Sequence, residues 1–434
     1  MTTPLGVLDC GEKFSNETNR TSLRILWLSM TFPRFPYTAQ AAWNYLILNK
    51  LSKHHQITYV PLHPISENEA AFLRQRKIFC LAERNGKIPT RASERFFHLS
   101  WFLQRIQLPW WPAPIFFWAR EYQRRWGPVF HKIKENDYDL IYCEQTPLSP
   151  VMNFLPDRIP KFLSVHDLWT LHIKRRLPYE SGWKKLKMTD DAQWIEQTEI
   201  EALRRADVCF AMSEPDKQWI ERHSNKRAVV IPVGIDVDYY SQVVDQFSLP
   251  PSTGPWFAFS ASVGHPPNAD AIFYFVRQIL PLIRKQYPNV GFMIVGCYTT
   301  QALYQLSRQD SKIIVTGAVP DVRPYLRAAD VCVVPMRFGS GIRIKIMEYL
   351  AMGKPVVSTS IGCEGLGLVS GKHLIQADTP QDFAKGINKI LSDENLRKRF
   401  AQEGPSFARS HFHFEDLLAA IEKEWFETIA GLRS

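Results

Sequence analysis

A glycine-rich turn followed by two cations and a carboxylate is the part of this chain whose residue types are best suited to chemistry. The residues are Gly339, Ser340, Gly341, Ile342, Arg343, Lys345 and Glu348. The turn opens a helical pattern, and the first N–H groups of a helix lack partners while the helix dipole is positive there. A helix start with Arg and Lys side chains nearby is therefore suited to binding a diphosphate. The carboxylate of Glu348, one helical turn beyond Lys345, is placed to accept hydrogen bonds from a ribose.

Two apolar runs frame this turn and its helix. Residues 331–335 precede the turn, the helix ends at Gly353, and the apolar residues 355–357 follow directly. An apolar run, a glycine turn, a helix and a second apolar run are typical of a βαβ unit. A purely structural interpretation is also open, with a tight turn that holds no ligand, solvated cations, and a surface pair of Lys345 and Glu348.

These residues also carry a family resemblance. The segment resembles the donor-binding half of the GT-B glycosyltransferases, in particular the retaining enzymes of family 4 (glycosyl transferases group 1). Their usual pattern is a Glu, seven residues and a second Glu, followed by a small-residue helix and G-x-P-V-V. Glu348 matches the second Glu and residues 353–357 match the tail, whereas Ser340 stands in place of the first Glu. The loop resembles that of a subgroup that writes it as G-S-G-I-R-I-K.

The resemblance covers roughly residues 23–430 and implies an α/β protein of the GT-B class. Such a protein has two Rossmann-like domains that face each other across a cleft, and a C-terminal helix that crosses back to the first domain. The implied activity is transfer of a sugar from a nucleoside-diphosphate sugar to a saccharide or lipid-linked acceptor. Retention of configuration and a role in cell-surface polysaccharide or glycoconjugate synthesis are implied as well, with no cofactor and no metal.

Two other functions stay open. One is a GT-B epimerase that acts on a sugar nucleotide. The other is a degenerate, non-catalytic GT-B scaffold that binds a partner. Ser340 in place of the usual Glu favours the scaffold, whereas the retained Glu348 and the two cations near it favour an enzyme.

Three further residues complete the predicted site. Gly264 and Asn268 lie in the loop after an apolar run, where many members of the family place cations for the diphosphate and this chain has none. We expect Lys345 and Arg343 to supply that charge from the other side. Asn268 either contacts the donor or caps the helix that follows.

His166 closes an apolar run in the first half of the chain, directly before Asp167. The family often has a histidine there, near the transferred sugar. The resemblance therefore predicts catalytic roles for His166 and Glu348. The structural alternative is a loop histidine that is hydrogen-bonded to Asp167.

The size and charge of the chain limit what it can be. A length of 434 residues suits two domains. The formal charge of +10 favours anionic partners, but no nucleic-acid-binding motif is present, so no nucleic acid is expected. The seven cysteines include no C-x-x-C pair, which favours a reducing compartment. Because the first 22 residues lack an apolar segment, we expect no signal peptide and a cytoplasmic protein.

The pattern along the chain predicts its organisation. We expect a disordered tail at 1–22, an acceptor-side Rossmann-like domain at 23–240 joined by the helix 411–434, a linker at 241–254, and a nucleotide-sugar domain at 255–410. Predicted helices span 39–51, 271–286, 322–328 and 411–434. Predicted strands span 23–30, 56–61, 139–143, 162–165, 208–212, 228–232, 256–260, 291–296, 313–316 and 331–335. Continuous apolar strands between helices indicate parallel sheets that are covered on both faces.

An aromatic and arginine-rich stretch at 95–126 allows two interpretations. It is either a buried pair of helices or a patch that faces lipid, where Trp and Arg are common. The basic runs at 174–176 and 184–187 are either a solvated face or an attraction for anionic lipid. The second interpretation predicts a peripheral protein on the inner face of the plasma membrane.

Overall fold

A computed structural model describes residues 22–29, 39–61, 65–81, 127, 130–249 and 254–433 of the chain. The chain forms two compact units. The first holds the first strand, Gln40–Ile231 and Ala420–Ser434, and the second holds Pro232–Ala419. The predicted tail, except Ser22, and the stretch 95–126 lie outside the described residues. The linker expected at 241–254 stays a prediction, because residues 250–253 also lie outside them.

The first unit is built on a parallel sheet. In the described part of the chain it has seven strands in the order β3-β2-β1-β4-β5-β6-β7. Its central strands are almost fully buried apolar runs, as expected for a parallel sheet covered on both faces, whereas the edge strands are partly exposed. The strands are β1 (Arg24–Ser29), β2 (Gln56–Pro61), β3 (Phe79–Cys80), β4 (Leu140–Glu144), β5 (Lys161–Val165), β6 (Val208–Ala211) and β7 (Arg227–Val230). The helices are α1 (Ala39–Leu51), α2 (Glu67–Gln75), α3 (Trp169–Arg176), α4 (Gly182–Arg204) and α5 (Glu214–Ser224).

The end of the chain contributes to the core of the first unit. Trp425, which is fully buried, packs edge-on against Tyr142 of β4 and Phe162 of β5, with ring centroids 5.6 and 6.3 Å apart. On the same helix, Glu424 forms an ion pair with Arg227 of β7. These contacts join residues after Ala420 to the first sheet.

The second unit repeats the alternation of strands and helices. Its described sheet has six parallel strands in the order β10-β9-β8-β11-β12-β13. The strands are β8 (Trp256–Ser260), β9 (Gly291–Val295), β10 (Ile313–Gly317), β11 (Val331–Val334), β12 (Val356–Ser358) and β13 (Ile375–Gln376). The helices are α6 (Val237–Ser241), α7 (Pro266–Tyr274), α8 (Leu280–Arg284), α9 (Gln301–Gln309), α10 (Arg323–Ala328), α11 (Ile344–Ala351), α12 (Ser360–Cys363), α13 (Pro380–Ser392) and α14 (Glu394–Phe412). The last helix, α15 (Phe414–Arg433), begins in the second unit and belongs to the first from Ala420 onward.

The predicted strands are confirmed, with ends shifted by one or two residues. Two predicted helices differ. The helix expected at 271–286 begins earlier and is interrupted by a π-helical turn at Phe275–Ile279. The helix expected from His411 begins at Phe414, because Ile235 pairs with the extended backbone of His413. The N–H of Ile235 donates to the carbonyl of Phe412 at 2.9 Å, which ends α14 at that point.

Each sheet has one place where the strand order reverses. In the first unit β1 lies beside β4, and in the second β8 lies beside β11. Loops that leave such neighbouring strands diverge to opposite faces of the sheet, and ligands bind outside the carboxyl ends of the strands there. The fold therefore marks the ends of β1 and β4, and of β8 and β11, as places for sites.

Candidate functional site

The loops after β8 and β11 bring three side chains of the second unit together. Lys345, in the first turn of α11, donates through Nζ to Oδ1 of Asn268 at 2.9 Å. The same ammonium lies 3.9 Å from the centre of the Phe259 ring, a cation–π contact. The sequence predicted Lys345 and Asn268 as neighbours of one ligand, whereas Phe259 was not predicted because it lies within a strand.

The surroundings of Lys345 control its charge. Burial of its ammonium group and the nearby charge of Arg343 lower the pKa of Lys345 to about 7, and Glu348 opposes the shift. The residue as a whole keeps some exposure, so it is the tip of the side chain that has lost its water. An anion bound beside this group restores the favourable environment for its charge.

Glu348 has a partner that the sequence did not predict. Its Oε1 accepts a hydrogen bond of 2.7 Å from the hydroxyl of Tyr240, a buried residue on α6. Burial raises the pKa of Glu348, while Tyr240 and Lys345 favour the charged form. Tyr240 therefore holds one carboxylate oxygen and fixes the side chain. No described residue donates a hydrogen bond to Oε2.

The glycine turn before α11 is closed by Arg343. Gly339 has φ +135° and Gly341 φ +68°, which side chains rarely tolerate. Nη1 of Arg343 donates to the carbonyls of Ser340 and Gly341, the second at 2.8 Å. A Cβ added to Gly339 would lie 2.5 Å from Nη2 of Arg343. The cation beside the loop therefore shapes the turn.

The remaining residues of the predicted turn are largely inside the unit. Ser340, which stands where the family usually has a Glu, is only 4% exposed. Ile342 packs against the hydrophobic core. The side chains of Ser340 and Ile342 therefore lie within the unit, and the backbone of the turn is the part left for contact with a ligand.

Asn268 does not cap its helix. Helix α7 begins at Pro266 with His265 at the N-cap and no side-chain cap bond. Nδ2 of Asn268 donates to the carbonyl of Ser262 at 3.0 Å, and Oδ1 faces Lys345. The capping interpretation is therefore wrong. Gly264 precedes this helix, and a Cβ there would collide with the carbonyl oxygen of Tyr298.

His166 has a different setting, in the first unit. It follows β5 and is nearly buried, with Nε2 3.3 Å from Oγ of Ser164 and 3.9 Å from Oε1 of Glu144. Burial lowers the pKa of His166 to about 4. Glu144 was not among the predicted site residues, although a carboxylate at the end of an apolar strand is a signal that a sequence shows. Among the described residues, Ser164 therefore lies within hydrogen-bond distance of the His166 ring and Glu144 lies just beyond it.

The basic runs at 174–176 and 184–187 differ in exposure and pairing. Lys174 donates to Glu196, and Arg176 forms an ion pair with Glu180 at 2.7 Å. In the first turn of α4, Trp183 and Leu186 are 60% and 61% exposed beside the lysines at 184, 185 and 187. Within the described ranges no helix is both long enough and apolar enough to cross a bilayer. No three His, Cys, Asp or Glu side chains of those ranges are grouped to hold a metal.

Two family profiles match the chain. The profile described as Glycosyl transferases group 1 matches residues 254–393. The profile described as Glycosyltransferase Family 4 matches residues 66–239. The first match contains Phe259, Asn268, Lys345 and Glu348, and the second contains Glu144 and His166.

Individual proteins agree with these matches. The phosphatidyl-myo-inositol mannosyltransferase of Mycobacterium tuberculosis is 25% identical over 321 residues, which cover 71% of this chain and 79% of the relative. Sucrose-phosphate synthase from Thermosynechococcus elongatus superposes with a TM-score of 0.66 at 15% identity, covering 94% of this chain and 99% of that one. Anabaena HepE in complex with UDP-glucose superposes with a TM-score of 0.62 at 16% identity, covering 94% and 100%. The structural likeness confirms the GT-B fold.

Proposed function

We propose, from the premise that this chain belongs to the group 1 glycosyltransferases of family 4, that it transfers a sugar from a nucleoside-diphosphate sugar to a saccharide or lipid-linked acceptor with retention. The observation that carries the proposal is the cluster of Lys345, Asn268, Phe259 and Glu348 at the end of β8 and β11. It combines a desolvated cation, a neutral amide and a carboxylate with one oxygen left for a hydroxyl.

Each part of this cluster fits one part of the donor. Lys345 would neutralise the diphosphate, because a cation with little water gains most from an anion. The backbone of the turn 339–341 would add N–H donors at the start of α11. Glu348 would accept from a ribose hydroxyl through Oε2 while Tyr240 holds Oε1. The mannosyltransferase relative and the UDP-glucose in HepE support a nucleotide sugar as the donor.

The chemistry follows from charge development on the leaving group. As the bond between the anomeric carbon and the diphosphate oxygen breaks, negative charge grows on the diphosphate. Lys345 and the backbone N–H groups of the turn would stabilise that charge electrostatically. The departing phosphate oxygen would take the proton of the acceptor hydroxyl, so the proposal needs no metal and no cofactor.

The acceptor and the place of action are part of the proposal. The name of the mannosyltransferase relative supports a lipid-linked acceptor and a role in glycoconjugate or polysaccharide synthesis. The exposed Trp183 and Leu186 beside the lysines of α4 support contact with an anionic membrane. We therefore place the protein at the cytoplasmic face of the plasma membrane.

Calorimetric titration with UDP-, GDP- and dTDP-sugars tests the donor site. We expect one of them to bind, and Lys345→Met to weaken that binding at least about tenfold, because one charge-assisted contact is lost. Lys385→Met is the matched control, since Lys385 is an exposed lysine of the same unit that pairs with Asp382. Equal affinities of the wild type and Lys345→Met would remove the basis of the proposal.

The reaction product distinguishes a transferase from an epimerase and from a non-catalytic scaffold. Release of nucleoside diphosphate that requires an acceptor identifies a transferase. Conversion of the sugar nucleotide without release identifies an epimerase. Binding without any turnover, across a panel of saccharide and lipid acceptors, identifies a scaffold. A chelator added to the transferase assay tests the absence of a metal requirement, and loss of activity contradicts it.

A further inference from the structure

A buried carboxylate lies at the point of the first sheet where the strand order reverses. Glu144 is the last residue of β4, is 0% exposed and faces the end of β1. Its Oε2 accepts hydrogen bonds of 2.6 Å from Oγ of Ser29 and 2.6 Å from Nδ2 of Asn44. Strands β1 and β4 and helix α1 therefore combine to hold one oxygen of this side chain.

The other oxygen is not held in the same way. Oε1 of Glu144 makes no hydrogen bond of good geometry with the described residues, although the indole of Trp27 on β1 lies near the carboxylate and favours its charged form. The same oxygen lies 3.9 Å from Nε2 of His166. A buried carboxylate oxygen without a partner costs stability. Its position next to an imidazole points to a role other than holding the fold together. The next residue, Gln145, has φ +75°, and strained backbone of this kind clusters at functional sites.

We propose that Glu144 is a positioning residue for His166: its protonated Oε1, 3.9 Å from Nε2 in this structure, donates to that nitrogen after a small side-chain movement, so that Nδ1 carries a proton and donates to an oxygen of the sugar or acceptor. The last part rests on the proposed glycosyl transfer. The pairing of the two side chains does not.

The charges of the pair explain why Nδ1 is the donor. Burial raises the pKa of Glu144 to about 7 and lowers that of His166 to about 4. Burial therefore favours a neutral carboxylic acid beside a neutral imidazole. The acid proton then points to Nε2, which must accept it, and the imidazole proton is left on Nδ1. Transfer of the acid proton to Nε2 keeps the pair neutral overall and still leaves a proton on Nδ1.

The groups around the pair do not compete for this proton. The other titratable groups that the charge of Glu144 influences are Tyr59 of β2 and Tyr142 and Cys143 of β4. Burial raises the pKa of each of them, so all three stay neutral near pH 7. Ser164 of β5 faces the imidazole with a neutral hydroxyl. Ser164 and Glu144 therefore both lie near Nε2, and of these two only Glu144 titrates near pH 7.

The tautomer of His166 is measured by nitrogen NMR on protein labelled in its histidines. The chain has 12 histidines, and the signal lost in His166→Gln assigns the one of interest. At pH 6 we expect the wild type to carry its proton on Nδ1. Above about pH 8, where Glu144 has lost its proton, we expect Nε2 to become protonated instead. A wild-type ring that is protonated on Nε2 at pH 6 overturns the proposal.

Two variants distinguish a positioning role of the Glu144 carboxyl group from an effect of the size of its side chain. Glu144→Gln keeps a donor toward Nε2, so we expect the Nδ1–H tautomer at both pH values and transferase kcat within about threefold of wild type at pH 6. Glu144→Met has similar size and no donor, so we expect mixed tautomers and kcat lower by about tenfold, as for one lost hydrogen bond. An unchanged tautomer in a folded Glu144→Met protein also overturns the proposal. If Glu144→Met does not fold, the wild-type titration and Glu144→Gln still decide.

The tests of the Glu144–His166 pairing and of the proposed transferase activity have independent outcomes. The NMR experiment needs no substrate, so a tautomer that follows Glu144 supports the pairing even in a protein without transferase activity. An active transferase whose His166 ignores Glu144 refutes the inference and leaves the proposed function standing.

Discussion

Lys345 is a cation whose charge depends on what is bound beside it. Its ammonium contacts an amide oxygen and an aromatic face, neither of which carries a full charge. With its pKa lowered to about 7, the side chain is partly neutral in the free protein near pH 7. A bound diphosphate favours the protonated form and raises this pKa, which couples ligand binding to proton uptake.

We therefore predict that donor affinity falls as pH rises above about 7. Between that value and the higher pKa of the complex, the free protein must take up a proton to bind, so affinity drops by up to about tenfold per pH unit. Calorimetry with the intact nucleotide sugar in buffers of different ionisation enthalpy measures the protons taken up, which we expect to approach one at pH 8. Lys345→Met should bind weakly at every pH. An affinity that is flat from pH 6 to 9 in the wild type contradicts the coupling.

Tyr240 holds the carboxylate of Glu348 through a single hydroxyl group. Tyr240→Phe keeps the ring in its buried place and removes the 2.7 Å hydrogen bond to Glu348. We predict a fivefold to tenfold loss of donor affinity, about 1 kcal/mol, because the carboxylate is no longer fixed. Tyr304→Phe, which removes the hydroxyl of a partly exposed tyrosine of the same unit, is the control. Equal donor affinities in Tyr240→Phe and wild type would show that Glu348 needs no support.

At the scale of elements, one helix start depends on a carboxylate from another helix. Helix α3 has Leu168 at its N-cap, which offers no side-chain cap bond. Glu199 of α4 replaces the cap, since it accepts from the N–H groups of Trp169 at 2.9 Å and Thr170 at 3.1 Å. This contact fixes the start of α3, three residues after His166. Burial raises the pKa of Glu199 to about 7.

The raised pKa gives a pH dependence of stability with a defined sign. The folded state holds the Glu199 proton more tightly than the unfolded state, so the contribution is complete below about pH 4.5 and is lost as pH rises through about 7. Glu199→Gln does not titrate. We predict that the melting temperature of the wild type, relative to Glu199→Gln, decreases from pH 5 to pH 8. A difference that is constant with pH contradicts the assignment.

The strands were predictable from the sequence, and helix α4 was not. A buried parallel strand is a continuous apolar run, and such runs stand out in a single sequence. The buried residues of α4 are Ala192, Ile195, Glu199, Ala202 and Leu203, so none lies before Ala192. Its first half is largely exposed and has no apolar stripe, so the sequence there showed only the basic run at 184–187. The exposed half leaves no periodic signal, and in the other half the charged Glu199 interrupts the apolar stripe.

The candidate site was predictable to the extent that it lies in one stretch of chain. Lys345 and Glu348 belong to one motif, and Asn268 follows a neighbouring strand. Tyr240 and Glu144 reach their partners only through the fold, because each is separated from its partner by other elements of its unit. Only the three-dimensional structure brings such residues together.

At the scale of the whole molecule, charge and exposed apolar side chains suggest where the protein works. A net charge of +10 attracts the chain to anionic surfaces. The first turn of α4 adds two exposed apolar side chains, Trp183 and Leu186, beside three lysines. Aromatic and aliphatic groups flanked by lysines are typical of helices that lie at a lipid interface.

We predict flotation with liposomes that contain phosphatidylglycerol and not with liposomes of phosphatidylcholine alone. High salt should release the protein, since the attraction to the headgroups is electrostatic. The double variant Trp183→Ser/Leu186→Ser should float less. Tyr304→Ser, which changes a partly exposed aromatic residue of the second unit, should float like the wild type. Wild-type protein that stays unbound at low salt excludes the membrane contact.

The placement of Trp425 in the first core has a consequence for biosynthesis. The ribosome makes the strands that surround this indole early and the indole itself only after the whole of the second unit. Until then the growing chain carries an unfilled apolar gap beside Tyr142 and Phe162, which a chaperone is suited to cover. A fragment that stops at Ile231 inherits the same gap, so the first unit needs its distant helix supplied, by fusion or as a peptide, before it can be studied alone.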